Sequence, residues 1–255
     1  MGGKNAPRVR NDYDAWAEYY DLTEGDRDAI VSFYRDLVFP GVGSIADLGC
    51  GTGLITAAMA THLRRDAPVV GIDLSPRMLV AARARAPAVL WCAGDIRHPP
   101  VMGRFDLVTC CYNTLQMLPH ESDVLEAMRA ARGLLAPEGR FAFDMFQPNL
   151  PRLRIPKRDR LLHAYVDHAG HAIELREDAT FDESDSLLTV DWRLIDAVGR
   201  RELGSIRLGL RQYPHAVVRR MLEDVGLRMV DCYGDYDRRP FDAGSMRQVL
   251  VCTAA

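Results

Sequence analysis

The segment Ile45-Ala46-Asp47-Leu48-Gly49-Cys50-Gly51-Thr52-Gly53, with Asp73 twenty residues beyond its last glycine, constrains this chain more than any other feature. A short apolar strand leads into glycines at 49, 51 and 53 and then into a helix of mostly small residues over 54–63. Glycine lets the backbone turn tightly and approach a ligand where a Cβ would collide. A second apolar strand, Val69 to Ile72, then ends on the Asp73 carboxylate, which is placed to accept hydrogen bonds from two ribose hydroxyls. Together these place a nucleoside-type cofactor at the carboxyl ends of parallel strands.

The glycine spacing selects among such cofactors. A dinucleotide site has G-x-G-x-x-G, which seats a pyrophosphate on a helix N-terminus. Here the spacing is G-x-G-x-G, with Asp47 just before it. An acid at this place repels a pyrophosphate and suits a cationic cofactor bearing an ammonium group. The segment resembles motif I of the class I S-adenosylmethionine-dependent methyltransferases, and Asp73 resembles their ribose-binding acid. That resemblance implies S-adenosylmethionine as the cofactor. It also implies that Asp95, ending a third strand in Ala93-Gly94-Asp95-Ile96, meets the adenine amino group while Ile96 packs on the ring. Leu74 and Met78 stand one helical turn apart and could cover the adenine face; plain core packing is the alternative.

Strand and helix signals alternate through the first 148 residues. Helical spacing covers 13–20 and 27–37, and Ser75-Pro76 reads as the cap and first turn of a helix. Strands are expected at 89–92, 105–112 and 140–146, with a helix over 122–135. This grammar predicts an α/β fold, a Rossmann-like, doubly wound and mostly parallel seven-stranded sheet. Its last two strands fall at 228–233 and 248–253, after a helix over 216–225. Between residue 148 and that helix the period switches to two, at 172–181, 187–195 and 205–210, which predicts an inserted antiparallel lid. The expected division is a cofactor-binding core of residues 1–148 and 214–255, and an insertion of residues 149–213 over the acceptor site.

Charge argues for a small-molecule substrate rather than nucleic acid. The 255 residues carry a net charge of −3, and the densest basic stretch, Arg152 to Arg160, holds only four Arg and one Lys against one acid. No apolar run approaches the length of a membrane span, and the first residues, which are polar and read as loosely ordered, show no signal-peptide or myristoylation pattern. Six cysteines without a C-x-x-C pair, mostly in apolar strands, read as reduced buried thiols of a cytoplasmic protein. A homo-oligomer stays open.

A second resemblance lies outside motif I. Tyr213-Pro214-His215, Gly234-Asp235-Tyr236 and Asn113-Thr114-Leu115 are similar to segments of glycine N-methyltransferase and its relatives, a similarity shared with amino-sugar N-methyltransferases. The resemblance implies that Tyr20 lies along the cofactor, that Arg27 pairs with its carboxylate, and that Asn113 touches both cofactor and substrate. Arg suits the second role because it offers a fixed fork of donors. Asn113, Tyr213 and His215 are the resulting catalytic candidates, His215 as a general base unless it is structural. Two departures bear on the substrate. Met145-Phe146 follows Asp144 where the family carries an amino-acid-binding Arg, and Met117 replaces a His. Phe146, Met117 and Tyr112 instead suggest an apolar or aromatic wall.

Other clusters read as ordinary structure. His163, Asp167, His168 and His171 do not place three ligands on one face and read as a polar hairpin, so no metal is expected. Cys110-Cys111 reads as buried thiols, and His120 is a lesser base candidate. The expected function is S-adenosylmethionine-dependent methyl transfer to a nitrogen or oxygen of a small molecule. The alternatives are a non-catalytic S-adenosylmethionine-binding regulatory module and a nicotinamide-dependent oxidoreductase.

Overall fold

Near-continuous apolar strands bury both faces, so they need helices above and below them. The computed structural model, which describes residues 13–23, 27–166 and 170–255, builds this arrangement. The sheet elements and their helices follow in chain order: α1 Tyr13–Thr23, α2 Asp28–Arg35, β1 Ile45–Leu48, α3 Leu54–Ala60, β2 Val69–Asp73, α4 Pro76–Arg85, β3 Leu90–Ala93, β4 Phe105–Cys110, α5 Glu121–Gly133 and β5 Leu135–Phe146. After a single turn α6, Leu150–Leu153, come β6 Lys157–Val166, β7 Ala172–Asp182, β8 Leu187–Asp196 and β9 Glu202–Arg211. The chain ends with α7 His215–Asp224, β10 Leu227–Tyr233 and β11 Arg247–Ala254.

Seven strands form one sheet in the order β10-β11-β5-β4-β1-β2-β3. All run parallel except β11, which is antiparallel to both β5 and β10. One face is covered by α5 and α7 through Val124, Met128, Val218 and Met221. The other is covered by α2, α3 and α4 through Phe33, Tyr34, Met59 and Leu79. The sheet order reverses beside β1, so the carboxyl ends of β1 and β4 diverge there and open a crevice.

The remaining strands form a separate antiparallel sheet, β6-β7-β8-β9. It has four strands, where the period-two pattern shows three. The additional strand, β6, starts inside the basic stretch, is largely exposed, and carries register shifts between Lys157 and Arg160 and between Leu161 and His163. Those shifts break the alternation that would have announced it. The apolar face of this sheet packs around Trp16 of α1, which is fully buried among Leu175, Val190, Leu194 and Leu208. Helix α1 thus joins the antiparallel sheet to α4 of the parallel-sheet layer.

Several boundaries differ from expectation: α3 ends at Ala60, β4 at Cys110, and β5 begins at Leu135 rather than 140. The helix expected to reach 135 stops at Gly133, and Leu135 already pairs with Phe105 as the start of β5. The Arg104 guanidinium donates to the carbonyls of Gly133 at 2.8 Å and Leu135 at 3.1 Å, satisfying the last acceptor of the helix and tying it to the start of β5. Residues 1–12 lie outside the described residues.

Candidate active site

The three glycines all take left-handed backbone conformations, with φ of +76° at Gly49, +53° at Gly51 and +75° at Gly53. Two of them are further required by packing. A Cβ on Gly49 would stand 2.5 Å from Thr114 Cγ2, and one on Gly53 would stand 2.5 Å from the Trp91 ring. Gly51 is different: its Cβ would project toward open space, with only Tyr20 Cε1 near it at 3.9 Å. That open space is a cavity of about 620 Å³ at the carboxyl ends of the strands.

Asp73 is held at the cavity wall by two backbone donors. Gly51 N–H donates to Oδ2 and Ser75 N–H to Oδ1, both at 2.8 Å. A carboxylate offers about four acceptor positions, so two remain for ligand hydroxyls. Asp47 is buried beneath the loop and accepts from Thr56 Oγ1 at 2.5 Å and Thr109 Oγ1 at 2.7 Å. Burial raises both carboxyls above the ordinary range.

The same cavity is lined by Tyr20, Arg27, Leu74, Met78, Asp95 and Ile96, so every cofactor candidate except Asn113 and Gly53 lines it. Gly53 serves the turn from beneath. Met78 is buried, whereas Leu74 is largely exposed at the cavity edge. Asp95 is already engaged: Arg97 grips it through Nε–Oδ1 at 3.0 Å and Nη2–Oδ2 at 2.6 Å, and extends Nη1 to Asp123 at 2.8 Å. The guanidinium holds the Asp95 carboxyl below its usual range. Arg27 donates to Asp21 at 2.8 Å, and Asp21 also receives Thr52 Oγ1 at 2.9 Å and Arg85 Nη2 at 2.6 Å. Asp21 thereby ties the end of α1 to the glycine loop. No sequence pattern announced it, because its partners come from three separate segments.

A second cavity, of about 380 Å³, lies between the crevice and the antiparallel sheet. Tyr13, Tyr112 and Met117 line both cavities, so these three side chains form the boundary where they meet. Phe146 and Met117 give the second cavity the apolar wall the sequence suggests. Asn113 lines this cavity and not the first. It sits at φ +61° directly after Tyr112, also at +61°.

This unusual pair of left-handed residues is pinned by Asp144. The fully buried Asp144 carboxylate accepts the N–H of Tyr112 at 2.7 Å, the N–H of Asn113 at 3.1 Å, and the hydroxyls of Tyr34 and Tyr236 at 2.7 and 2.9 Å. Arg247 stacks on Phe146 and Tyr236 and reaches Asn113 Oδ1 at 3.4 Å. An acid ending an apolar strand was visible in the sequence, but its four donors were not.

Two catalytic candidates fall elsewhere. Tyr213 packs in the core formed with α5 and α7, its hydroxyl buried, and lines neither cavity. His215 stacks on Phe241 and shares a 3.0 Å hydrogen bond with Gln248 Oε1, also away from both cavities. Their positions follow from the start of α7 packing against β11. Of the histidine cluster, His163 lines the second cavity, while Asp167 and His168 lie outside the described residues. Burial pushes the Cys110 and Cys111 thiols well up, away from nucleophilic thiolate. Among the described residues, no helix is long and apolar enough to cross a membrane.

Known proteins place this geometry. Residues 45–139 match the model of the methyltransferase domain family. The chain is 33% identical over 177 residues to the trans-aconitate 2-methyltransferase of Escherichia coli O1:K1, covering 62% of this chain and 67% of that protein. The first curated relatives are matched over about half of their own length. Among solved structures, the CcbJ methyltransferase from Streptomyces caelestis superposes with a TM-score of 0.80 at 24% identity, over 95% of this chain and 97% of that one. CalS10 from Micromonospora echinaspora, an amino pentose methyltransferase solved with S-adenosylmethionine, gives 0.70 at 22%, over 94% and 96%. The two structural likenesses carry the fold, and the identity to the Escherichia coli enzyme carries the family: the chain belongs to the class I S-adenosylmethionine-dependent methyltransferases.

Proposed function

We propose that the protein transfers a methyl group from S-adenosylmethionine to a nitrogen or oxygen of a small molecule held in the second cavity. The observation that carries this reading is the meeting of the two cavities at Tyr13, Tyr112 and Met117. Methyl transfer is an in-line displacement, and it needs donor and acceptor compartments that open onto each other.

The first cavity suits the cofactor on its own terms. Gly51 leaves room where a Cβ would intrude, and Asp73 keeps acceptor positions for two ribose hydroxyls. Arg27 and Tyr20 would hold the methionyl end, while Met78, Ile96 and Leu74 would flank the base. When bound, the cofactor supplies an already activated electrophilic methyl on sulfur. The chain has then to align a nucleophile and exclude water. Asn113 is positioned to orient the acceptor atom, because its backbone is locked by Asp144 and its amide by Arg247. An amine acceptor need only be neutral for this to suffice.

The apolar and aromatic wall of Phe146, Met117 and Tyr112 supports a ring-bearing or otherwise bulky acceptor over glycine. An amino-sugar acceptor, of the class named for CalS10, has this character. Six cysteines without a disulfide support a reducing, cytoplasmic setting.

The reading is tested by thermal shift with S-adenosylhomocysteine and NAD in parallel, followed by transfer of labelled methyl into a panel of ring-bearing amines and hydroxyls, glycine and sarcosine. A ligand at about 100 times its dissociation constant stabilises the native state by about 2.7 kcal/mol. S-adenosylhomocysteine should do so and NAD should not, and label should enter ring-bearing acceptors alone. No shift with S-adenosylhomocysteine would end the cofactor assignment, and vigorous glycine methylation would end the acceptor assignment.

A further inference from the structure

The basic stretch Arg152 to Arg160 is too small for a nucleic-acid footprint, and the fold divides its cations by direction. Arg154 faces away from the second cavity and pairs with Glu183 at Nε–Oε2 3.0 Å. Arg152, Lys157 and Arg160 line the cavity. Among the described residues only one carboxylate, Glu177, lines it with them, and that carboxylate is taken: Arg160 Nη2 donates to one oxygen at 2.6 Å and Trp192 Nε1 to the other at 3.2 Å. Among the described residues neither Arg152 nor Lys157 has a carboxylate within ion-pair distance. The Arg152 guanidinium rests against Met246 Sδ at 3.5 Å.

Two unbalanced cations therefore look onto a largely apolar cavity in a chain whose net charge is −3. Apolar walls focus the field of such charges onto whatever occupies the space between them. The alternating face of β7 reinforces the contrast. Ile173, Leu175 and Ala179 share a buried face with Glu177, so the cavity floor is apolar apart from that one neutralised acid.

We propose that the acceptor is an anion: a small molecule whose apolar body lies on the antiparallel sheet and whose carboxylate or phosphate is held by Arg152 and Lys157. This rests on the second cavity being the acceptor site. It makes Arg152 and Lys157 specificity-determining residues that lie outside the reacting atoms. Arg152 matches a carboxylate or phosphate with its fork of donors, and Lys157 adds a point charge. The anchored anion fixes one end of the acceptor, leaving its nucleophilic atom to be aimed at the Tyr112–Met117 boundary.

Isothermal titration with benzoate, phenyl phosphate and neutral benzyl alcohol tests this, each with and without S-adenosylhomocysteine present. The two anions should bind about tenfold or more tighter than the alcohol at low salt, and that preference should shrink as salt screens it. The stronger of the two anions identifies carboxylate or phosphate as the group recognised. In Arg152→Gln/Lys157→Gln the preference should vanish, while benzyl alcohol and S-adenosylhomocysteine bind as before. Arg154→Gln should keep the preference, because that side chain faces outward. Lys157→Gln alone, expected to lose part of the preference, replaces the double variant if the latter does not fold. Equal affinity for acid and alcohol, no anion binding, or an undiminished preference in the variants would overturn the proposal. Failure of S-adenosylhomocysteine to bind would instead strike the methyltransferase reading and leave the anion comparison to be read on its own.

Discussion

Asp144 Oδ2, at the end of β5, accepts the backbone N–H of Asn113 at 3.1 Å and so fixes the left-handed turn that closes the neighbouring strand. Asn113 lines the second cavity, its backbone held by that bond and by the companion from Tyr112 at 2.7 Å. Asp144→Ala would leave two N–H groups and two tyrosine hydroxyls without their acceptor, at about 1–3 kcal/mol for each that stays buried and unpaired. Urea unfolding should show a loss of several kcal/mol. Asn113→Ala keeps the backbone bonds but puts alanine at a left-handed φ of +61°, so it should cost only about 1 kcal/mol, far less than Asp144→Ala. Turnover in Asn113→Ala should fall while affinity for S-adenosylhomocysteine holds; a wild-type rate would remove Asn113 from the mechanism.

The glycines separate folding from binding. Gly53→Ala drives a methyl into Trp91 at a left-handed φ and should cost about 2 kcal/mol or more of stability. Gly51→Ala meets almost no protein, so its stability cost should be about 1 kcal/mol, from the backbone alone. Its methyl points into the cofactor cavity, so affinity for S-adenosylhomocysteine should drop by about tenfold or more. Calorimetry and thermal melts on the two variants would show opposite rankings.

Asp73→Ala should remove two ribose hydrogen bonds to a charged acceptor, each worth about 1.5–3 kcal/mol, and so most cofactor affinity. Burial raises the Asp73 carboxyl above its ordinary 3.8. In the window just above 3.8 the folded apo chain therefore holds more protons than the unfolded chain, and this group's contribution to stability falls as pH rises through it. Denaturation of wild type and Asp73→Ala from about pH 7 down to about pH 4 should show the difference moving in favour of wild type as pH falls. A difference moving the other way would contradict the burial argument.

Arg27 is largely buried and already bound to Asp21 at 2.8 Å. Its removal leaves Asp21 paired with Arg85, so Arg27→Ala should change stability little. If Arg27 also meets the cofactor carboxylate, affinity for S-adenosylhomocysteine should weaken more than affinity for its carboxyl methyl ester. Equal losses measured by calorimetry would confine Arg27 to the Asp21 cluster.

The parts of this molecule written in local sequence were readable in advance. The glycine loop, the strand-ending Asp73 and the Ser75-Pro76 cap each depend on neighbours within a few positions, and Ser75 Oγ does accept from Met78 N–H at 3.1 Å. The parallel sheet and the antiparallel insertion followed from the change of apolar period. What escaped were convergences. Asp144 collects donors from α2, the β4 end and the turn after β10, and Asp21 collects them from as far as 64 residues away in the chain. Tyr213 and His215, singled out by resemblance, line neither cavity: Tyr213 packs in the core with α5 and α7, and His215 bonds Gln248. Glu177 could have been found, since the period of two in β7 places it on an otherwise apolar face.

Among the described residues only Tyr13, Tyr112 and Met117 belong to both cavities. If the first cavity holds the cofactor and the second the acceptor, as proposed, almost every side chain that recognises one is free of any duty toward the other. On that proposal, substitutions along β7, β8 and β9 would alter what is methylated without eroding the means of methylating it, and acceptor preference could drift on the floor of the second cavity while the glycine loop stays fixed.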